Sequence, residues 1–158
     1  MHPLTDTILA SAIGSDLSRE EAAAIAAQAT VRDVVDGEVL VQEGDRDSRL
    51  HVILKGRIAV ARRADQGWNV LHVRGEGDLA GELTFMHDEP RYAALLASGP
   101  ARVLVLARRD FEALLATQPH AVYNVMRSIM RVAHDVQARL SRQMLDLQNY
   151  LYRPGGRY

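Results

Sequence analysis

The side chains best suited to hold a ligand are Glu82 and Arg91, in the segment GELTFMHDEPRYAA at residues 81–94. An arginine offers a planar fork of N–H donors that matches the oxygen atoms of a phosphate. A glutamate only accepts hydrogen bonds when ionised and repels a phosphate, so it suits a sugar hydroxyl. Gly81 lets the backbone approach a ligand closely. The segment therefore predicts a site that recognises an anion and a hydroxyl group side by side.

The residues between this pair support the same chemistry. LTFMH at 83–87 can form one or two helical turns that end before Pro90. Free N–H groups at the start of such a turn attract an anion. A cyclic nucleotide presents a phosphate and a sugar hydroxyl on one rigid ring system and would satisfy both side chains. A second interpretation stays open at this point, in which Glu82 and Arg91 form a structural ion pair beside a turn.

Composition excludes several other kinds of site. The chain has 158 residues, 47% of them hydrophobic and 25% charged, which suits one soluble domain with a full core. The formal net charge of -1 gives no general argument for nucleic acid or membrane as a partner, and the lack of cysteine excludes disulfides and thiolate metal sites. No apolar run approaches the ~20 residues that span a bilayer, and the N-terminus lacks the features of a secretory signal. A cytoplasmic location is expected.

Motifs that would indicate an enzyme are missing. GEGDLAG at 75–81 superficially fits a dinucleotide fingerprint, but it lies among predicted antiparallel strands, and Glu76 and Asp78 would repel a pyrophosphate. The six histidines are scattered, and no metalloprotease, nucleophile-elbow or P-loop motif occurs. His87, within the segment 81–94, is the histidine best placed to take part in binding. The sequence thus predicts a binding protein with neither catalytic residues nor metal nor cofactor.

Around the segment 81–94 the sequence predicts a mainly β domain with flanking helices. Ser18 and Glu21 form a capping box before an alanine-rich helix that runs to about Ala29, and residues 4–13 can form a weaker helix. From Val34 onward, short apolar runs alternate with glycines. The predicted strands are 39–41, 50–54, 58–61, 70–73, 93–97 and 103–106. This pattern is typical of a β-sandwich or a jelly-roll barrel, and the fold that we expect is a jelly-roll or β-roll barrel, a double-stranded β-helix.

The C-terminal part predicts a short helix at 109–115 and a long one at about 120–152. Apolar residues there recur at alternating steps of four and three, with one polar position: Val122, Met126, Ile129, Ala133, Val136, Leu140, Gln143, Leu147 and Tyr150. Such a helix is ~50 Å long and overhangs a domain with a radius of gyration near ~15 Å. Its second half would expose apolar side chains to water. We therefore expect a homodimer that forms through the helix 120–152.

Three segments together resemble the cyclic-nucleotide-binding domain family, which includes catabolite-activator-type bacterial regulators and the regulatory subunits of cAMP-dependent protein kinase. DGEVLVQEGD at 36–45 resembles the family's first hairpin, and LHVILKG at 50–56 resembles its next strand and turn. The residues from Gly81 to Ala93 resemble its phosphate-binding cassette, the most specific element. The resemblance implies one domain over 1–158, divided into N-terminal helices (1–33), a β-roll (34–107) with the cassette (81–94), C-terminal helices (108–152) and a tail (153–158).

The resemblance also implies individual roles. Glu82 would accept a hydrogen bond from the ribose 2′-hydroxyl, and Arg91 would pair with the cyclic phosphate of cAMP or cGMP. Other contacts would come from the backbone of the cassette, the barrel wall and the long helix, the last from the same chain or from a partner subunit. In that order, these residues are Gly81, Leu83, Tyr92 and Ala93, then Val60 and Leu71, then Val136 and Gln137.

Two departures from the family limit what the resemblance implies. Tyr92 stands where the family usually has a small residue, so the identity of the nucleotide base is left undecided. The missing hydroxyl of Ser or Thr weakly favours cAMP over cGMP. Activator-type relatives continue into a helix-turn-helix after the long helix, and this sequence stops first, so we expect no direct DNA binding and an output through an unknown protein partner. The alternative is a degenerate fold that serves as a dimeric interaction scaffold without a nucleotide.

Overall fold

The computed structural model describes residues 2–153. Met1 and residues 154–158 lie outside the described residues, and with them almost all of the predicted tail. The helices are α1 (Thr5–Ala10), α2 (Arg19–Gln28), α3 (Glu82–Met86), α4 (Arg108–Ala113), followed by a short 3-10 turn (Leu114–Ala116), and α5 (Pro119–Leu151). The strands are β1 (Thr30–Val34), β2 (Val39–Val41), β3 (Arg49–Lys55), β4 (Ile58–Ala64), β5 (Gly67–Arg74), β6 (Leu79–Ala80), β7 (Ala94–Ala97) and β8 (Ala101–Ala107).

The strands form two antiparallel sheets, which confirms the predicted β-roll with flanking helices. Within residues 2–153 one sheet has the order β1-β8-β3-β6 and the other the order β2-β7-β4-β5. Neighbours in each sheet are often distant in sequence, as in the pairing of Thr30 with Val105. The two sheets therefore wind around a shared interior, and segments that are far apart in sequence pair within one roll.

Helix α2 starts where the capping box predicts. The Ser18 side chain accepts a hydrogen bond from the Glu21 N–H, and the Glu21 carboxylate accepts one from the Ser18 N–H. This satisfies two backbone donors that have no partner inside the helix. One boundary differs from the prediction, because β1 begins at Thr30 and residues 30–33 are strand. Apolar and polar residues alternate only weakly in this strand, where Val34 is the one buried residue. The sequence pattern therefore did not predict a strand at 30–33.

Two apolar clusters hold these elements together. The helix-side core lies between the helices and the first sheet, and it includes Ile25, Leu50, Leu104 and Phe111. The roll interior lies between the two sheets, and it includes Ile53, Val60, Leu95, Val103 and neighbouring alanines. Successive residues of β3 alternate between these clusters because side chains of a strand point to opposite faces.

The long helix α5 has two different halves. In the first half Val122 and Ile129 are each 4% exposed and pack into the helix-side core. In the second half Leu140 is 59% exposed and Leu147 is 54% exposed. The predicted heptad seam is therefore not one continuous surface. In the first half, some residues of the seam pack into the chain's own helix-side core and others face solvent. In the second half, from Leu140 onward, the apolar residues of the seam are exposed.

Candidate functional site

A cleft opens where α3, the second sheet and α5 meet. Its cavity volume is about 80 Å³, and the space between its lining atoms is about 530 Å³ when the part open to solvent is included. Eight of the residues predicted for the site line this cleft, and they come from four separate elements or loops: Val60, Gly81, Glu82, Leu83, Arg91, Tyr92, Ala93 and Val136. The fold thus brings together residues that span much of the chain, and this explains why their spacing alone could not identify the site.

Gly81 and Arg91 are in direct contact at the base of the cleft. Gly81 has a φ of 82°, a conformation that side-chain-bearing residues rarely adopt. A Cβ atom added there would lie 2.2 Å from the Arg91 Nη1 atom. Only glycine therefore leaves room for the guanidinium, and the short helix α3 begins directly over it.

Arg91 is fixed by its backbone and is almost fully buried. Its N–H donates to the Asp45 carbonyl at 2.8 Å, and its own carbonyl accepts from the Gly44 N–H at 2.7 Å. The side chain is 5% exposed and donates from Nη2 to the Arg49 carbonyl at 2.8 Å. Its buried Nε has no hydrogen-bond partner within residues 2–153. Burial lowers the pKa of Arg91, and Asp47 and Glu82 partly oppose this effect.

The acid nearest to Arg91 is already matched to another arginine. The Asp47 carboxylate accepts from Arg49 Nε and Nη2, with distances of 2.6 to 3.1 Å. Its separation from Arg91 Nη2 is 3.7 Å. Burial raises the pKa of Asp47, but the hydrogen bonds from Arg49 outweigh it and the pKa is lowered. Asp47 is therefore ionised and engaged with Arg49, and the positive charge of Arg91 is only partly balanced.

Glu82 lies in the same cleft, and its carboxylate accepts no hydrogen bond from residues 2–153. The residue is 8% exposed. Its Oε1 atom is 3.6 Å from Arg74 Nη2, which is an ion pair without a hydrogen bond. The structural ion pair between Glu82 and Arg91 that the sequence left open is absent from the described residues, since the salt-bridge partner of Glu82 is Arg74.

Tyr92 stands at the mouth of the cleft. It lines the cleft, and 57% of the residue is exposed. Burial of its hydroxyl group raises the pKa of Tyr92, nearby Glu82 raises it further, and Arg74 lowers it. The phenol is therefore protonated near neutral pH and can donate a hydrogen bond.

Two predicted residues lie outside the cleft. Leu71 is 48% exposed because a β-bulge interrupts the pairing of β4 with β5, so that Val60 faces His72 and Ala61 faces Val70. The bulge turns Leu71 outward. Gln137 follows Val136 on α5 and is therefore rotated by about 100° around the helix axis. It borders a separate, open surface with Leu140 and Met144.

The structure adds residues that sequence reasoning missed. His72 and Arg74 lie two positions apart on β5, and both line the cleft. The alternation of β5 correctly predicts that Leu71 and Val73 share a face of the strand. The bulge determines that this face points outward, so that His72 and Arg74 point into the cleft. Burial lowers the pKa of His72, and the nearby Arg74 and Arg139 lower it further. Its neutral imidazole can both donate and accept a hydrogen bond.

A second histidine lies behind the cleft. His51 is 1% exposed, and neither ring nitrogen has a hydrogen-bond partner among the described residues. Burial, with Arg49 and Arg91 nearby, lowers the pKa of His51 to about 4. The imidazole is therefore neutral at neutral pH. His87, which the sequence singled out, is exposed and does not line the cleft.

Two kinds of feature are absent from the described residues. Over residues 2–153, histidine, aspartate and glutamate form no group of three that could hold a metal ion. No helix in the same range combines the length and the apolar character needed to cross a bilayer.

Comparison with known proteins identifies related sequences and folds. A family model described as "Cyclic nucleotide-binding domain" matches residues 31–118. The CRP-like cAMP-activated global transcriptional regulator of Mycobacterium tuberculosis is 27% identical, over 96% of this chain and 74% of that protein. A cAMP-dependent protein kinase regulatory subunit of Mycosarcoma maydis is 31% identical, over 63% of this chain and 20% of that protein. The crystal structure of a cyclic nucleotide-binding domain from Methylobacillus flagellatus KT has a TM-score of 0.77, with 24% identity, and covers 98% of this chain and 86% of that chain.

Proposed function

Since the chain belongs to the cyclic nucleotide-binding domain family, we propose that it is a non-enzymatic sensor of a cyclic nucleotide, with cAMP preferred over cGMP. The main support for this proposal is the burial of Arg91 and the incomplete compensation of its charge. Arg91 is 5% exposed and faces a cleft, and within residues 2–153 its nearest carboxylate, that of Asp47, lies 3.7 Å from Nη2, beyond hydrogen-bond distance. A buried charge of this kind is costly unless a partner compensates it, so the cleft is suited to an anion.

The charges in the cleft favour an anion with a single negative charge. Asp47 is matched by Arg49, and Glu82 is matched by Arg74. Asp47 also lies 3.7 Å from Arg91 Nη2, so these three arginines and two acids together leave one net positive charge. A cyclic phosphodiester carries one negative charge, whereas an open phosphate monoester carries nearly two at pH 7. The site is therefore expected to prefer the cyclic ester.

The remaining contacts follow from which atoms are free. Glu82 has unused acceptors that can take a hydrogen bond from a ribose hydroxyl, while Arg91 donates to the phosphate. The first N–H groups of α3 have no partner inside the helix and add donors beside Gly81. Val60 and Val136 offer an apolar surface to the base. The preference for cAMP rests on Tyr92, which replaces a small hydroxyl residue, and it stays a prediction.

Binding can be transmitted to the rest of the molecule through α5. Val136 belongs to this helix and lines the cleft, so a base held there contacts a helix that extends far beyond the roll. A ligand that favours one position of α5 over another shifts the population of those positions. We infer that the output is altered contact with an unknown protein partner.

A calorimetric titration of the purified chain with cAMP, cGMP and 5′-AMP tests the proposal. We expect binding of cAMP, weaker binding of cGMP and weaker binding of 5′-AMP. The Arg91→Met variant should lose affinity by a factor of about 100 or more, because a buried charge would be left without its partner. Arg102→Met removes an exposed arginine and serves as the control. Unchanged affinity in Arg91→Met would contradict the role of Arg91.

We also infer that the second half of α5 mediates homodimerisation. Leu140, Met144, Leu147 and Leu151 are each more than half exposed and follow a helical spacing. A helix surface of this kind is stable in water when another helix covers it. Leu140→Glu should convert the dimer to a monomer in sedimentation equilibrium. Gln66→Glu adds the same charge in the β4–β5 turn and should leave the assembly unchanged. A wild-type monomer at high concentration would contradict the inference.

The same exposed helix surface favours a second candidate, a dimeric interaction scaffold that binds no nucleotide. That candidate predicts a dimer whose melting temperature does not change with millimolar cAMP or cGMP. A specific ligand at 100 times its Kd should instead stabilise the fold by about 2.7 kcal/mol. A melting curve with and without nucleotide therefore separates the two candidates.

A further inference from the structure

Arg74 is a charged residue of the cleft for which the proposed function names no contact with the nucleotide. It lies at the end of β5, opposite Ile58 on β4, and lines the cleft. Its side chain is 12% exposed, and its buried Nε has no hydrogen-bond partner within residues 2–153. An arginine that is nearly dry and has unused donors is costly to bury. Its position therefore needs an explanation beyond packing.

Arg74 is placed to act on Glu82. Its Nη2 atom lies 3.6 Å from Glu82 Oε1, near enough for charge attraction and too far for a hydrogen bond. The charge of Glu82 is thus compensated, while its oxygen atoms keep their capacity to accept hydrogen bonds. A bidentate pair such as Arg49 with Asp47 would have occupied that capacity.

The same geometry protects the charge of Arg91. Glu82 and Arg91 share one small cleft, and Glu82 raises the pKa of Arg91 by its charge. Without Arg74, the carboxylate would have Arg91 as its remaining cation in the cleft. The two would then attract each other, and both groups would be less available to a ligand.

We propose that Arg74 is a positioning residue that holds the Glu82 carboxylate apart from Arg91 and ready to accept a hydrogen bond from the sugar hydroxyl. The inference rests on the proposed function, because it concerns how the same site reads its nucleotide. It makes Arg74 responsible for sugar recognition although Arg74 itself need not contact the sugar.

The test compares cAMP with 2′-deoxy-cAMP, which lacks the hydroxyl that Glu82 is proposed to read. Wild-type protein should bind cAMP about 10 to 100 times more tightly than the deoxy compound, the range expected for a hydrogen bond to a charged group. Arg74→Met should reduce this ratio at least fivefold. Arg74→Lys keeps the positive charge and should retain part of the ratio. Arg102→Met, which breaks an exposed pair of the same 3.6 Å separation, should leave it unchanged.

A double-mutant cycle separates action through Glu82 from a direct contact with the ligand. In Glu82→Gln the ratio should already be small, and adding Arg74→Met should change it by less than twofold. If Arg74→Met and Arg74→Lys weaken both nucleotides equally and leave the ratio intact, the positioning role is overturned while the proposed function stands. If wild-type protein binds neither nucleotide, the proposed function and this inference both fail. Far-ultraviolet circular dichroism and a melting curve of each variant establish that it is folded.

Discussion

The two apolar clusters of this molecule differ at their edges. The helix-side core is closed, and none of its buried residues borders the cleft. The roll interior is open at one end, where Val60, Ala80, Ala93 and Leu95 belong both to the cluster and to the wall of the cleft. Beside this open end lie buried polar groups, namely His51, Glu82 and Arg91.

This difference indicates how the molecule divides stability from binding. The helix-side core uses apolar packing, which stabilises a fold in proportion to the area removed from water. Within residues 2–153, the guanidinium and the imidazole at the open end have buried nitrogen atoms without hydrogen-bond partners, an arrangement that costs stability and is typical of functional sites. Substitutions in the two regions should therefore have opposite effects on stability and affinity.

The largest effect on stability should come from the helix-side core. Phe111 is 2% exposed, and its ring centroid lies 5.1 Å from that of Phe85. Phe111→Ala should lower the free energy of unfolding by about 3 to 5 kcal/mol, because it leaves a cavity in a closed cluster. Urea denaturation measures this change. A loss below 1 kcal/mol would show that this core is not as closed as the structure indicates.

The next effect concerns pH and the polar end of the roll interior. His51 has a pKa of about 4 in the fold and 6.5 as its ordinary value, so the unfolded chain binds a proton more readily. The neutral, buried imidazole therefore makes the free energy of unfolding depend on pH. Its full value is present above pH 6.5, and about 3 kcal/mol is lost as the pH falls from 6.5 toward 4. His51→Leu should flatten that part of the stability curve, whereas His134→Gln, at an exposed position, should not. Identical slopes for wild type and His51→Leu would rule out this source.

A smaller effect should come from the cap of α2, which borders the helix-side core. Ser18→Ala removes the hydroxyl that accepts from the Glu21 N–H at 3.1 Å. The expected loss is about 1 kcal/mol in the free energy of unfolding. Nucleotide affinity should not change, since α2 contributes no residue to the cleft. Measured affinity that falls together with stability would link this helix to the site.

The smallest effect on stability should come from Arg91, where the effect on binding is largest. Arg91→Met replaces a buried, incompletely compensated cation by an apolar chain, and such exchanges are often neutral or stabilising. The unliganded variant should unfold within about 1 kcal/mol of wild type, or be more stable. A loss of several kcal/mol would show that Arg91 holds the loop at 42–48 in place, and the contrast between the two clusters would then weaken.

Much of this architecture was predictable because its signals are local. The capping box sets the start of α2, and apolar runs between glycines predicted β2, β3, β4, β5, β7 and β8 to within a few residues. The short strands β1 and β6 were missed, since neither carries an alternating pattern long enough to recognise. The residue types of Gly81, Glu82 and Arg91 indicate what each can donate or accept, and all three line the cleft; their role in binding stays a prediction.

Tertiary structure alone decided what surrounds those residues. A single bulge in β5 exchanged Leu71 for His72 in the wall of the cleft and brought Arg74 to Glu82, because one extra residue reverses which side chains point inward. The roll also divided α5 into a packed half and an exposed half, although one apolar pattern runs through both. Burial of His51 and Arg91 depends on distant strands meeting, so no local pattern carries it. The sequence determined which polar groups are available, and the packing of the sheets determined which of them face one another in the cleft.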